Sequence, residues 1–94
     1  MSTEEQNSQS LRRNQVVRLW GTPDVTEGSL NDPRLRHEHG LTFNEKWVYA
    51  WPKGEPSRPR ERIIYWQRYD FVGACRVEQD GHRVAEGPEV LVQR

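Results

Sequence analysis

The stretch Lys46-Trp47-Val48-Tyr49-Ala50-Trp51 alternates as a half-buried strand does, with the rings of Trp47, Tyr49 and Trp51 on one face and Val48 and Ala50 on the other. Pro52, Gly54, Pro56 and Pro59 break that pattern at once, so the segment carrying Lys53, Arg58 and Arg60 reads as a hairpin connection. A second strand is expected from Arg60 to Tyr69. Its faces are Ile63, Tyr65, Gln67 and Tyr69 on one side and Ile64, Trp66 and Arg68 on the other. After a turn near Asp70, Val72 to Glu78 makes a third strand. The turn signal Gln79-Asp80-Gly81 then opens a short fourth strand at His82. Pro88 favours an edge or an extended tail from which Val90, Leu91 and Val92 dock.

Upstream of the strands lies a helix pattern, with Ser8 or Ser10 as N-cap. Leu11, Gln15 or Val16, Leu19 and Trp20 share one face, while Arg13 and Asn14 fall elsewhere. Gly21 suits the left-handed position just past the helix, and Pro23 cannot continue it. Between helix and first strand, Asp24 to Glu45 is polar and punctuated by Gly28, Asn31-Asp32-Pro33 and Gly40. It reads as one long loop, anchored by Leu30, Leu35, Leu41 and Phe43. Met1 to Gln9 is polar and aperiodic and is expected to be a disordered tail, which leaves 10–94 as a single domain. The expected fold is α+β: one N-terminal helix packed on a three- to four-stranded antiparallel sheet.

Composition bounds the function. Ninety-four residues allow one small core, and four Trp among 10% aromatics supply the bulk that it needs. Fourteen basic residues cancel fourteen acidic ones, so no net field draws the chain to nucleic acid or an acidic membrane. No apolar run is long enough for a membrane span or a signal-peptide core, so the chain is expected in the cytoplasm. A lone Cys75 excludes an internal disulfide and a multi-cysteine zinc site.

Taken together, Gln15-Val16, Leu19-Trp20-Gly21-Thr22-Pro23-Asp24 and Lys46-Trp47-Val48-Tyr49, followed by Ile63-Ile64-Tyr65-Trp66 and by Val72 to Gly81, resemble the small SmpA/OmlA (BamE-like) domain of bacterial outer-membrane lipoproteins. In that family a helix ends in an L-L-G-x-P corner, a W-x-Y strand follows, and a two-stranded hairpin closes the sheet. The likeness runs from Leu11 to Gly81 and implies the same helix-on-sheet fold. The family's lipidated Cys has no counterpart here, since Met1 opens a polar tail and Cys75 lies in a strand. Arg12 stands where the family's helix commonly has a capping Thr.

Three constellations carry potential chemistry. His37-Glu38-His39 offers metal ligands, with Asp32 or Glu45 to complete a shell, but His82 is far along the chain and the incomplete set favours a solvated loop and no metal. Cys75 would need a base such as His82 to act as a nucleophile. Its neighbours Gly73-Ala74 and Arg76-Val77 instead suit a small buried strand residue packed against the helix. No phosphate-binding or nucleophile-elbow motif occurs, and no cofactor is expected.

The arginines carry more weight. There are twelve against two lysines, several of them interleaved with the rings of Trp47 to Tyr69. Such a surface suits a protein partner or a second copy of the chain, with Trp51 and Trp66 as anchors and Arg58, Arg60 and Arg68 as charged rim. One helix covers one side of a sheet, so a large ring is expected to stay exposed on the other. The leading expectation is therefore a non-enzymatic protein-binding or assembly module. Single-stranded nucleic acid stacked on the same residues is an alternative, which zero net charge disfavours. A small-ligand or enzymatic pocket between helix and sheet, lined by Trp20, Trp47 and Tyr49, is another.

Overall fold

The computed structural model describes residues 13–52, 54 and 57–91. The expected tail at 1–9 and the caps Ser8 and Ser10 lie outside these residues. Helix α1 occupies residues 13–20. It ends where Gly21, at φ 82°, donates its N–H to the Val17 carbonyl at 2.7 Å. Only a glycine takes that left-handed step without steric cost. Val16 is buried and Trp20 half-buried, as the helical spacing requires. Arg13, expected off the packed face, is on it: positions 13, 16 and 20 are neighbours along one side of a helix.

Among the described residues seven strands follow: β1 Val25–Gly28, β2 Arg36–Glu38, β3 Leu41–Phe43, β4 Glu45–Ala50, β5 Glu61–Gln67, β6 Asp70–Val77 and β7 Arg83–Glu86. Five form an antiparallel sheet in the order β1-β4-β5-β6-β7, and β2 and β3 form a separate ribbon. Strands β4, β5, β6 and β7 are those the alternation anticipates. The long loop at 24–45 is a correction, because it holds three strands. In β1 a single apolar residue, Val25, stays half exposed; backbone pairing with β4 from Val25↔Val48 to Gly28↔Glu45 holds it, not burial. The Asp24 carboxylate accepts the Ala50 N–H at 2.8 Å and extends that edge. Gly28, at φ 78°, lies so close to the Asn44 carbonyl that a Cβ there would overlap it. The ribbon turns through His39 (φ 50°) and Gly40 (φ 78°), two consecutive left-handed residues that match the twist of a two-residue hairpin.

Alternation along β4 and β5 splits the apolar side chains between two clusters. Trp47, Tyr49, Ile64, Trp66 and Ala74 pack beneath α1; Phe43, Ile63, Tyr65, Cys75 and Val77 pack on the opposite face, beneath the ribbon. The faces assigned to the rings and isoleucines are those seen. Tyr65 and Trp66 are both 0% exposed, because the ribbon covers one and α1 the other; the ring left exposed is Tyr69, 42% exposed in the β5–β6 turn. Of the four loop anchors, Phe43 is buried and Leu41 is half-buried, whereas Leu35 is 52% exposed and anchors nothing. The chain after β7 is a 3₁₀ turn, Pro88–Leu91, instead of an extended tail, and Val90 and Leu91 close the helix-side cluster. Among the described residues no helix is long and apolar enough to cross a membrane.

Candidate functional site

The five residues expected to form one partner surface do not meet. Trp51, at the end of β4, is half-buried with the Arg58 guanidinium 5.6 Å above its ring, and its N–H donates to the exposed Arg60 carbonyl at 3.0 Å. Those three share one end of the sheet. Arg68 sits in the β5–β6 turn at the other end, roughly 25 Å away at the usual rise per strand residue. Its backbone is committed: φ is 55°, its N–H donates to Asn44 Oδ1 at 2.9 Å, and its carbonyl accepts Arg13 Nη1 at 2.7 Å. Trp66 is wholly inside, with Trp47 at 5.1 Å and Phe71 at 6.2 Å between ring centres, so it cannot anchor a partner. Its alternation placed it on a face that α1 then covered.

The pocket expected among Trp20, Trp47 and Tyr49 is likewise filled. Trp20 packs on Tyr49 at 5.4 Å, and the Arg62 guanidinium lies 4.6 Å from the Trp20 ring. The Tyr49 hydroxyl donates to the Gly21 carbonyl at 2.9 Å. What remains is a dent of about 120 Å³ beside Trp20, Tyr49 and Trp51, to which Trp47 contributes nothing. Arg13 completes the closure. It pairs with the buried Glu45 carboxylate, which also accepts the Trp47 indole N–H at 2.9 Å, and its guanidinium lies 5.0 and 5.1 Å from the Trp47 and Trp66 rings. The charges on this face are internal structure.

The cavity is on the other face. A groove of about 450 Å³ runs over β6 and β7 beside the ribbon. Its floor follows from register. Tyr65 pairs with Gly73 and Cys75 pairs with Ala85, so three small residues adjoin on one side of the sheet. Leu41 leans over Gly73, where an added Cβ would come within 2.9 Å of its methyl. Tyr65, Val72 and Pro88 complete an apolar lining, with His39 and Arg83 also facing it. The ribbon is two strands wide and reaches only part of this floor.

The groove's polar groups are arranged in order. The Tyr65 hydroxyl donates to Glu38 Oε1 at 3.2 Å, and Lys46 Nζ donates to both Glu38 oxygens at 3.0 and 3.2 Å. Burial alone would raise the Glu38 carboxyl, but the Lys46 contacts outweigh it and hold it below its ordinary value. Burial, then the neighbouring Cys75 and Glu38, push the Tyr65 phenol well up, so it is a neutral donor. Glu86 is bound by Arg62 at 2.7 Å and by Arg76 at 3.3 Å. Arg83 differs: it is exposed, among the described residues it donates to the Cys75 sulfur at 3.7 Å, and no carboxylate among them pairs with it.

Cys75 is buried as expected but on the face away from the helix, which corrects its assignment to a helix contact. His82 lies beyond the last β6–β7 pair, Val77↔Arg83, so it is not set against Cys75 as a base. His37 and His39 do not converge either. His37 Nδ1 is 3.0 Å from Thr42 Oγ1, His39 is in the turn, and Glu38 points to Lys46. Among the described residues no three His, Cys, Asp or Glu side chains gather as metal ligands would. Sequence reading missed Asn44, which is buried and joins three segments. Its amide donates to the Leu30 and Asp32 carbonyls at 3.1 Å and accepts from Arg68. No family model, no curated protein and no solved structure matches the chain, so its site is read from its own geometry.

Proposed function

We propose that the chain is a non-enzymatic binding module whose receiving element is the groove above Gly73, Cys75 and Ala85. The observation that carries this reading is the contrast in filling. One face of the sheet is closed by interlocking rings, while the other keeps an apolar cavity of about 450 Å³, within the ~300–1,000 Å³ usual for small-ligand sites. Among the described residues no three His, Cys, Asp or Glu side chains gather as metal ligands would, and His82 is not set against Cys75; an apolar floor of small residues suits holding a group. Adding decanol to labelled protein should shift the amides of Gly73, Cys75 and Ala85 saturably. Ala85→Trp, which fills the groove, should abolish those shifts while circular dichroism stays native. Shifts confined to other residues would refute the reading.

A protein partner at the Trp51, Arg58 and Arg60 corner is the second reading, favoured by the guanidinium stacked on a half-exposed indole. Trp51→Ala with Arg60→Ala should weaken self-association or partner capture at unchanged fold, and a loss that tracks salt steeply would transfer the corner to nucleic acid. Kinship with the SmpA/OmlA domain is proposed for the fold alone, supported by the helix closing at Gly21 and the order β4, β5, β6.

A further inference from the structure

Resting on the groove reading, we infer that its ligand is a small amphiphile bearing a carboxylate, with an aliphatic body over Gly73, Cys75 and Ala85 and the anionic head at Arg83. Charge bookkeeping around the groove singles out that arginine. Glu86 is met by two guanidinium groups, and Glu38 is met by the Lys46 ammonium and the Tyr65 hydroxyl. Glu38 and Glu86 thus each have a cation and the Glu89 carboxylate accepts the Gly87 N–H, whereas Arg83 has a thiol as its hydrogen-bond partner and no carboxylate among the described residues. A guanidinium beside an apolar trough is short of an anion, and its planar fork matches a carboxylate with two parallel hydrogen bonds.

The other end of the ligand is specified by what lines the floor. Gly73 and Ala85 carry no polar side-chain atom and Cys75 only a weakly hydrogen-bonding thiol, so the three accept a slim aliphatic chain and give a second polar head little to bind. Leu41 and Val72 supply flanking methyl groups. A cationic amphiphile would place like charge against Arg83, and a neutral one would leave the guanidinium as it stands.

The test uses decanoate, decanol and decyltrimethylammonium, each below its aggregation threshold, titrated into the full chain with amide shifts and calorimetry as readouts. Decanoate should bind saturably at Gly73, Cys75 and Ala85, about threefold more tightly than decanol, the scale of a contact to an exposed guanidinium. Arg83→Gln should remove that advantage, bringing decanoate to the affinity that decanol has for the same variant. Equal binding of decanoate and decanol, with Arg83→Gln without effect, would overturn the carboxylate while the groove reading survives. Preference for decyltrimethylammonium would overturn it too. Absence of binding by any of the three overturns this inference and the groove reading together.

Discussion

The two faces of one sheet have been finished in opposite ways. Beneath α1, Trp47, Tyr49 and Trp66 interlock with Val16 and the 3₁₀ turn, and Arg13 bolts the helix down through Glu45 and two indoles. Beneath the ribbon, the same strands present Gly73, Cys75 and Ala85, and the cover is two three-residue strands held by Lys46, Glu38 and Asn44. Large side chains under a helix leave no room. Small side chains under a narrow ribbon leave a cavity. The difference teaches that open space in so small a domain lies where the cover is narrow and the side chains small, away from its main packing layer.

The largest way to break this comparison is to cut the helix bolt. Arg13→Ala leaves the Glu45 carboxylate buried without its cation, and the loss should be about 3 kcal/mol, read as a lower urea midpoint. An equivalent cut on the ribbon side is milder: Tyr65→Phe removes one hydrogen bond to Glu38 and should cost about 1 kcal/mol. If the two losses came out equal, the faces would not differ as described.

Next in size is a paired overpacking test. Ala74→Leu adds bulk to the filled face and should destabilise by about 2 kcal/mol. Ala85→Leu adds the same bulk to the groove and should change stability by less than about 0.5 kcal/mol. Thermal unfolding of the two variants side by side checks the contrast, and a reversed order would contradict the cavity.

Acid separates the faces by cover instead of by bulk. Glu38 and Asp32 both titrate below their ordinary values, so the stability they contribute is complete above 4.5 and 3.8 respectively and is lost as pH falls through the lowered values. For Asp32 the main cause is the Arg34 backbone N–H, with the Arg34 and Arg36 side chains adding to it against a small opposing effect of burial. Amide exchange should therefore show the ribbon, Arg36 to Phe43, loosening in acid before β5 does, and Glu38→Gln should flatten that dependence. Alkali acts on both covers. Tyr49 and Tyr65 are raised above 10.0, mainly by burial, so their contribution is full below that value and declines as pH rises past it. Tyr49→Phe should move the onset of alkaline unfolding upward by a small, measurable amount.

Much of this architecture was legible. Gly21 and Pro23 marked the helix end, and the alternation in β4 and β5 sorted Trp47 and Tyr49 from Val48, and Ile63 from Ile64. The ribbon was not legible, because Arg36, His37 and Glu38 carry no alternation of apolar and polar residues; Phe43 and the His39-Gly40 turn hold it in place. Arg13 was misjudged for a related reason. A charged residue reads as solvent-facing until its partner is known, and Glu45 lies 32 positions away. The candidate site fared worst. Trp66 was rightly assigned to a face and wrongly to the outside, and Gly73, Cys75 and Ala85 bear no mark of a cavity one at a time.

Local periodicity alone determined which side chains share a face, since a strand repeats every two residues whatever surrounds it. Which faces would be sealed was decided only in three dimensions, when α1 settled on one and a short ribbon settled on the other. Covering depends on segments remote in the chain, and a side chain's exposure is a property of what lies above it. The groove exists because three small residues from β6 and β7 become neighbours only once those strands pair.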